Sequence, residues 1–191
     1  GLRDEVGIIE LDLRKSKNGI LYCYHGTFWQ YYVTLKSRKD LKVLKRKFGV
    51  DSLEEILAVI PEAKMVFIDI KDTSITKEDI KRAFTGRMFK KVILGNKSVS
   101  FLRHFNDLPQ EFVRCLNGNI FCTWYRLEKL KVDNFKYFEV VFPFQVRQKI
   151  IERVRAQGLE FLCASLFFRS SKRYWRMILK TGINVVSSDF V

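Results

Sequence analysis

Two carboxylates two residues apart, Glu10 and Asp12, interrupt an otherwise apolar run, Gly7-Ile8-Ile9-Glu10-Leu11-Asp12-Leu13. Alternate residues of a strand point the same way, so in an extended run both carboxylates share a face, about 7 Å apart. A second apolar run starts at Met65 and closes on Asp69-Ile70-Lys71. Glu10, Asp12 and Asp69 together would form an oxygen-rich cage for a hard divalent cation such as Mg²⁺ or Ca²⁺. The alternative for Glu10 and Asp12 is a solvent-facing edge strand; a strand in a closed, all-parallel sheet has no such face, which favours the metal. Asp69 and Lys71 fit two readings, a cation ligand beside an anion-binding ammonium or a salt bridge to a neighbouring strand. His25 ends the run Ile20-Leu21-Tyr22-Cys23-Tyr24 and precedes Gly26, which puts it at a mouth rather than in a core. Histidine exchanges protons near neutrality and suits acid/base work, although alone it reads more simply as structural. His104 sits within a helical pattern and reads as structural.

The elements that must position these residues alternate between extended and helical. Strand-like runs cover 7–13, 20–24, 65–68, 91–94, 119–124, 137–142, 159–167 and 183–186. Ser52-Leu53-Glu54-Glu55 is a capping box that opens a helix through Ile60, and Pro61 stops it. Thr76-Lys77-Glu78-Asp79 starts another helix towards Phe84, and helical periodicity recurs from Ser98 to His104. Apolar positions Val146, Ile150, Ile151 and Val154 form a helical stripe closed by Gly158, and 171–180 reads as a last helix. This alternation predicts parallel βαβ units in one domain spanning 1–191, without linker, repeat or low-complexity tract. A doubly wound sheet and a closed (β/α) barrel both satisfy it. In a barrel, chemistry sits at the C-terminal ends of the strands. There the polar residues Glu10, Asp12, His25, Asp69, Lys71, Asn96 and Asp189 gather.

Composition narrows the classes. With 47% hydrophobic residues and only 3 Pro and 10 Gly, the chain has a core and is not low-complexity. No apolar run approaches the ~18 residues of a membrane span, and the opening GLRDEVG lacks a secretory h-region. Cys23, Cys115, Cys122 and Cys163 are scattered without a CxxC pair, and 2 histidines leave no zinc-finger spacing. Free thiols in a reducing, cytoplasmic setting are expected. There is no GxSxG, P-loop or GxGxxG. The charge balance, 35 − 21 = +14, points to an anionic partner: nucleic acid, a membrane surface or a phosphorylated substrate. The basic segments 36–47 and 169–176 are the candidate patches, though a charge run is more often a solvated face. Phe28-Trp29-Gln30-Tyr31-Tyr32 fits an apolar lip for a lipid as well as it fits core.

The run Gly7 to Leu13, the Asn18-Gly19 turn and the apolar strand ending in His25 resemble the glycerophosphodiester phosphodiesterase family. There, Glu-x-Asp is followed after a turn by a strand carrying a catalytic His thirteen residues beyond the Asp, the spacing from Asp12 to His25. Ser52-Leu53-Glu54-Glu55-Ile56-Leu57 looks like the helix before that family's acidic-x-Lys strand, matched by Asp69 and Lys71. Val185-Val186-Ser187-Ser188-Asp189 is similar to its closing strand. The resemblance implies a (β/α)₈ TIM barrel, metal ligands Glu10, Asp12 and Asp69, a general acid/base in His25 and a phosphate contact from Lys71. It implies hydrolysis of a glycerophosphodiester to glycerol 3-phosphate and an alcohol, with Mg²⁺ or Ca²⁺. The family's opening strand, ending His-Arg-Gly, has no counterpart here, so the barrel is expected to lack its first strand and to be N-terminally incomplete. His25-Gly26 and Asp69-x-Lys71 look more like the sphingomyelinase D (phospholipase D) branch, which adds a lysophospholipid substrate at a membrane as an alternative. A catalytically inactive basic barrel that binds nucleic acid or another polyanion is the third reading.

Overall fold

The computed structural model of the chain describes residues 7–25, 39–118, 135–140, 148–164 and 185–187. Eight strands form one sheet: β1 (Ile8–Lys15), β2 (Leu21–Cys23), β3 (Met65–Ile70), β4 (Lys91–Asn96), β5 (Phe112–Gly118), β6 (Phe135–Val140), β7 (Glu160–Ala164) and β8 (Val185–Ser187). Their order is β2-β1-β3-β4-β5-β6-β7-β8. Every neighbouring pair is parallel except β1 with β2. Five helices are described: α1 (Leu41–Phe48), α2 (Leu53–Val59), α3 (Lys77–Phe84), α4 (Val99–Arg103) and α5 (Gln148–Ala156). Parallel strands with helices between β3 and β4, β4 and β5, and β6 and β7 make a TIM-barrel-like α/β fold. No pairing among the described residues joins β8 to β1 or β2.

Apolar residues cover both faces of the parallel strands, as their near-continuous hydrophobic runs require. On one face Leu13, Val66, Ile68, Val92, Leu94, Leu116 and Phe138 pack with Leu57, Ile80, Leu102, Ile151 and Val154 of the helices. On the other, Phe67, Ile93, Cys115, Tyr137 and Leu162 form a separate cluster. That second face also carries Asp12 and Asp69.

Two elements differ from the sequence expectation. Residues 20–24, read there as one more strand of a parallel series, instead return as β2, antiparallel to β1, with Leu13 opposite Cys23 and Lys15 opposite Leu21. Residues 16–20 are too few for a parallel crossover, which needs about a dozen, so the chain closes a hairpin. The Ser16 hydroxyl donates to the Ile20 carbonyl (2.8 Å) and the Ser16 carbonyl accepts from the Gly19 N–H (3.1 Å). Gly19 takes φ 81°, which other side chains resist. The basic connection contains a helix, α1, which burial of Leu41 and Leu44 anchors while Lys42, Lys45, Arg46 and Lys47 face solvent. A two-leucine stripe inside so basic a segment was masked by its charge.

A further element, the strand β5, was not anticipated: Arg114 and Asn117 break its apolar pattern. The expected strand at 119–124, the helix at 171–180, the aromatic stretch at 28–32, the basic segment 169–176 and Asp189 lie outside the described residues, as does 36–38 of the first basic segment.

The starts of α2 and α3 are where the sequence puts them. Ser52 and Thr76 each cap a helix in a reciprocal box with Glu55 and Asp79. Ser52 also bridges to Tyr22 on β2, so this cap fixes both a helix and the hairpin. Ser52→Ala should lower stability by about 1 kcal/mol, read as a lower urea midpoint at constant m-value. An unchanged midpoint would show that the cap contributes nothing.

Candidate active site

Glu10 and Asp12 lie on β1 and Asp69 on β3. Asp12 and Asp69 are direct register partners on adjacent parallel strands. Partners in register point to the same side, so the pairing alone brings these two carboxylates together. Each of Glu10, Asp12 and Asp69 offers an oxygen within 4.8 Å of the other two. Asp12 and Asp69 are buried, at 9% and 6% exposure, whereas Glu10 is exposed. Lys71 reaches back from the end of β3: its Nζ lies 3.0 Å from Asp12 Oδ1 and hydrogen-bonds Asp69 Oδ2. The residues expected from sequence to hold a metal and a phosphate therefore converge.

His25 joins them through the hairpin. β2 runs back along β1, the Tyr24 N–H donates to the Asp12 carbonyl (3.0 Å), and His25 follows. Its Nε2 stands 3.6 Å from Asp12 Oδ2, beyond hydrogen-bond range but close enough for charge attraction once protonated. The ring is 74% exposed, free to meet a ligand at the opening. A cleft of about 310 Å³ opens beside it, lined among others by Glu10, Asp12, Cys23, His25, Phe48 and Val50. That volume lies at the small end of ligand sites.

The electrostatics follow from burial. Burial alone would lower the Lys71 pKa, but attraction to Asp69 and Asp12 and the hydrogen bonds to both outweigh it and hold the ammonium charged. Burial pushes the Asp69 carboxyl up; Lys71 pulls it back, and the neighbouring Asp12 charge pushes it up again, leaving it above the ordinary range. Cys23, in the wall of the cleft, is pushed up to about 12 by burial and by Asp12, and so stays a thiol. Cys115 is fully buried and also raised, chiefly by burial. Both are free cysteines, as expected.

Other polar residues at strand ends sort differently. Asn96 leaves the cluster: its Nδ2 donates to the Ile70 carbonyl (2.6 Å) and its Oδ1 accepts from the Ser98 N–H (2.7 Å), tying β3 to the start of α4. His104 is the exposed C-cap of α4. Sequence reasoning missed Asn117 and Glu139. Each is the penultimate residue of its strand, β5 and β6, as Asp69 is of β3. Glu139 is 2% exposed, and burial followed by the charges of Glu10 and Asp69 raises its pKa well above the usual carboxylate range.

A parallel α/β sheet with carboxylates, a lysine and a histidine gathered at its strand ends defines a TIM-barrel-like scaffold with a polar site. Among solved structures, the chain is similar to a protein from Galdieria sulphuraria provisionally named a glycerophosphodiester phosphodiesterase (19% identity, 97% of this chain and 83% of that one, TM-score 0.82). It is similar to the glycerophosphodiester phosphodiesterase of Thermotoga maritima (18% identity, 94% and 80%, TM-score 0.75). A third is an Oleispira antarctica phosphodiesterase in complex with its product sn-glycerol-3-phosphate (14% identity, 97% and 82%, TM-score 0.76). The chain thus has the fold of the glycerophosphodiester phosphodiesterases. No protein-family model and no curated protein matches it.

A buried carboxyl with a raised pKa favours folding only while it keeps its proton. For Glu139 that contribution is fully present below the ordinary value of 4.5 and is lost as pH rises towards the folded-state value. Without divalent cations, Glu139→Gln should therefore gain stability relative to the unsubstituted chain from about pH 5 to pH 8. Denaturant unfolding across that range checks it; a difference independent of pH would mean that Glu139 ionises as readily folded as unfolded.

Proposed function

We propose that the chain is a metal-dependent phosphodiesterase that hydrolyses glycerophosphodiesters to glycerol 3-phosphate and an alcohol. The observation that carries this reading is the convergence of Glu10, Asp12, Asp69 and Lys71 at the strand ends. The donor set fits a hard divalent cation on two counts. Oxygens bound to one ion at about 2.0–2.6 Å are at most about 5 Å apart, and these lie within 4.8 Å of one another. Three carboxylates and one ammonium also leave a formal charge of −3 + 1 = −2, which a divalent ion neutralises. Glu10, Asp12 and Asp69 would hold Mg²⁺ or Ca²⁺, which when bound supplies Lewis-acid stabilisation of the phosphoryl oxygens.

The chain's own side chains supply the rest. Lys71, held charged by its two aspartates, offers its Nζ to a phosphate oxygen and steadies the charge that grows there. His25, exposed beside Asp12, takes the proton of a substrate hydroxyl as that oxygen attacks phosphorus. The bond from phosphorus to the alcohol oxygen breaks, and the imidazolium returns the proton to the departing alkoxide. Water then opens the resulting cyclic phosphate, with His25 again moving the proton.

Hydrolysis of glycerophosphocholine, followed by release of glycerol 3-phosphate, should require Mg²⁺ or Ca²⁺ and stop in EDTA. Glu10→Ala should abolish it, and His25→Ala should lower kcat by about 10²–10⁴. Activity that survives EDTA and both substitutions would sink the metal mechanism.

A further inference from the structure

Helix α1 is more basic than its own stability calls for. Lys42 lies in its first turn, where the helix dipole disfavours a cation, and no acidic residue in that turn offsets it. Lys45, Arg46 and Lys47 in the last turn suit the dipole, and Lys45 also pairs with Asp51 and Glu55. Lys42 and Arg46, four residues apart and so on one face, meet no carboxylate among the described residues. Both are exposed, on the side opposite the buried Leu41 and Leu44. Val43 stands beside them, 38% exposed.

The turn between β1 and β2 continues this surface. The Lys17 N–H donates to the Lys39 carbonyl (3.0 Å) and the Leu41 N–H to Asn18 Oδ1 (3.3 Å), which fixes the turn against the start of α1. Lys17 and Ile20 are exposed there. Of the four large apolar side chains exposed among the described residues, two, Ile20 and Val43, thus belong to these joined elements. Residues 16–20 and 39–48 together hold six cations and one carboxylate, Asp40.

Cations with apolar side chains among them restrict the partner. The sign selects a polyanion. A single-stranded nucleic acid would stack its bases on aromatic rings, and no aromatic side chain is exposed among the described residues. An anionic bilayer rewards both features: its phosphate layer takes the cations, and the boundary beneath takes the apolar side chains. We infer that the β1–β2 turn and the outer face of α1 dock the protein on an anionic lipid surface, through Lys17, Lys42 and Arg46 with Ile20 and Val43. The contact is peripheral, because Leu41 and Leu44 are committed to the core with Tyr22 and Val50. Phe48, the last residue of α1, lines the cleft with His25, so a docked chain holds its site beside the bilayer.

Sedimentation of the chain with lipid vesicles, in EDTA to prevent bridging by divalent cations, tests it. The chain should bind vesicles of phosphatidylcholine with about one-third phosphatidylserine and not phosphatidylcholine alone, with affinity that falls as salt rises. A surface cation is worth about fivefold, so Lys42→Gln with Arg46→Gln should weaken binding about twenty-fivefold. Lys42→Gln alone removes a cation that the helix dipole disfavours, so it should keep the fold and still cost about fivefold. Ile20→Ser with Val43→Ser should weaken vesicle binding severalfold and leave binding to single-stranded oligothymidylate unchanged. Equal binding to both kinds of vesicle, or binding that the cation substitutions leave unchanged, would overturn the docking surface. Vesicle binding unaffected by the apolar pair would make the surface a general polyanion site and overturn its assignment to lipid. None of these measurements involves hydrolysis, so the phosphodiesterase reading stands or falls separately.

Discussion

Asp12 and Asp69 are paired residue to residue across two parallel strands, buried, and directed to the same side. Two carboxylates in that position repel each other and have given up most of their water. Lys71 makes the pairing tenable by lying between them, bonded to both. It comes from the strand that carries Asp69, two residues on, so the same extended backbone supplies the problem and its remedy. The rest of the site is arranged around this triad. Glu10 adds a third carboxylate two residues before Asp12, and the hairpin through Gly19 returns His25 to Asp12. The cluster's residual formal charge of −2 is what the proposed divalent ion would neutralise.

The scaffold explains why the cluster sits at one edge of the sheet. The central strands β3 and β4 carry apolar runs, Val66 to Ile68 and Val92 to Leu94, ahead of their penultimate residues. There the facing positions become Asp69, Gly95, Asn117 and Glu139, with Cys115, Ile93 and Phe67 packed on the same face. Apolar burial holds the strands in register, and the register then brings the polar ends together. A shift of one residue would send Asp69 to the helix-covered face, where Ile68 and Ile70 pack, and destroy both core and site.

Much of this was legible in the sequence, for identifiable reasons. Glu10-x-Asp12 and Asp69-x-Lys71 announced themselves because charged residues in apolar runs are costly unless they meet partners. Ser52 and Thr76 marked helix starts because capping boxes are local, read within four residues. What escaped depended on distant parts of the chain. The antiparallel return of β2 was missed because its apolar run looks like any buried strand, and only the short link gives it away. The strand β5 was missed because Arg114 and Asn117 disrupt its pattern, and Asn117 was lost with it. Glu139 escaped because a single acidic residue among aromatic ones carries no spacing signal. Its meaning comes from a register with β5 that no local pattern encodes.

The central claim is that Glu10, Asp12 and Asp69 form a site for one divalent cation. Calorimetric titration of the EDTA-stripped chain with Mg²⁺ and with Ca²⁺ tests it most directly. One ion should bind per chain, with affinity reduced at least about tenfold in Asp12→Asn and in Asp69→Asn while both variants remain folded. Binding of neither cation, or binding as tight in both variants as in the unsubstituted chain, would contradict the account.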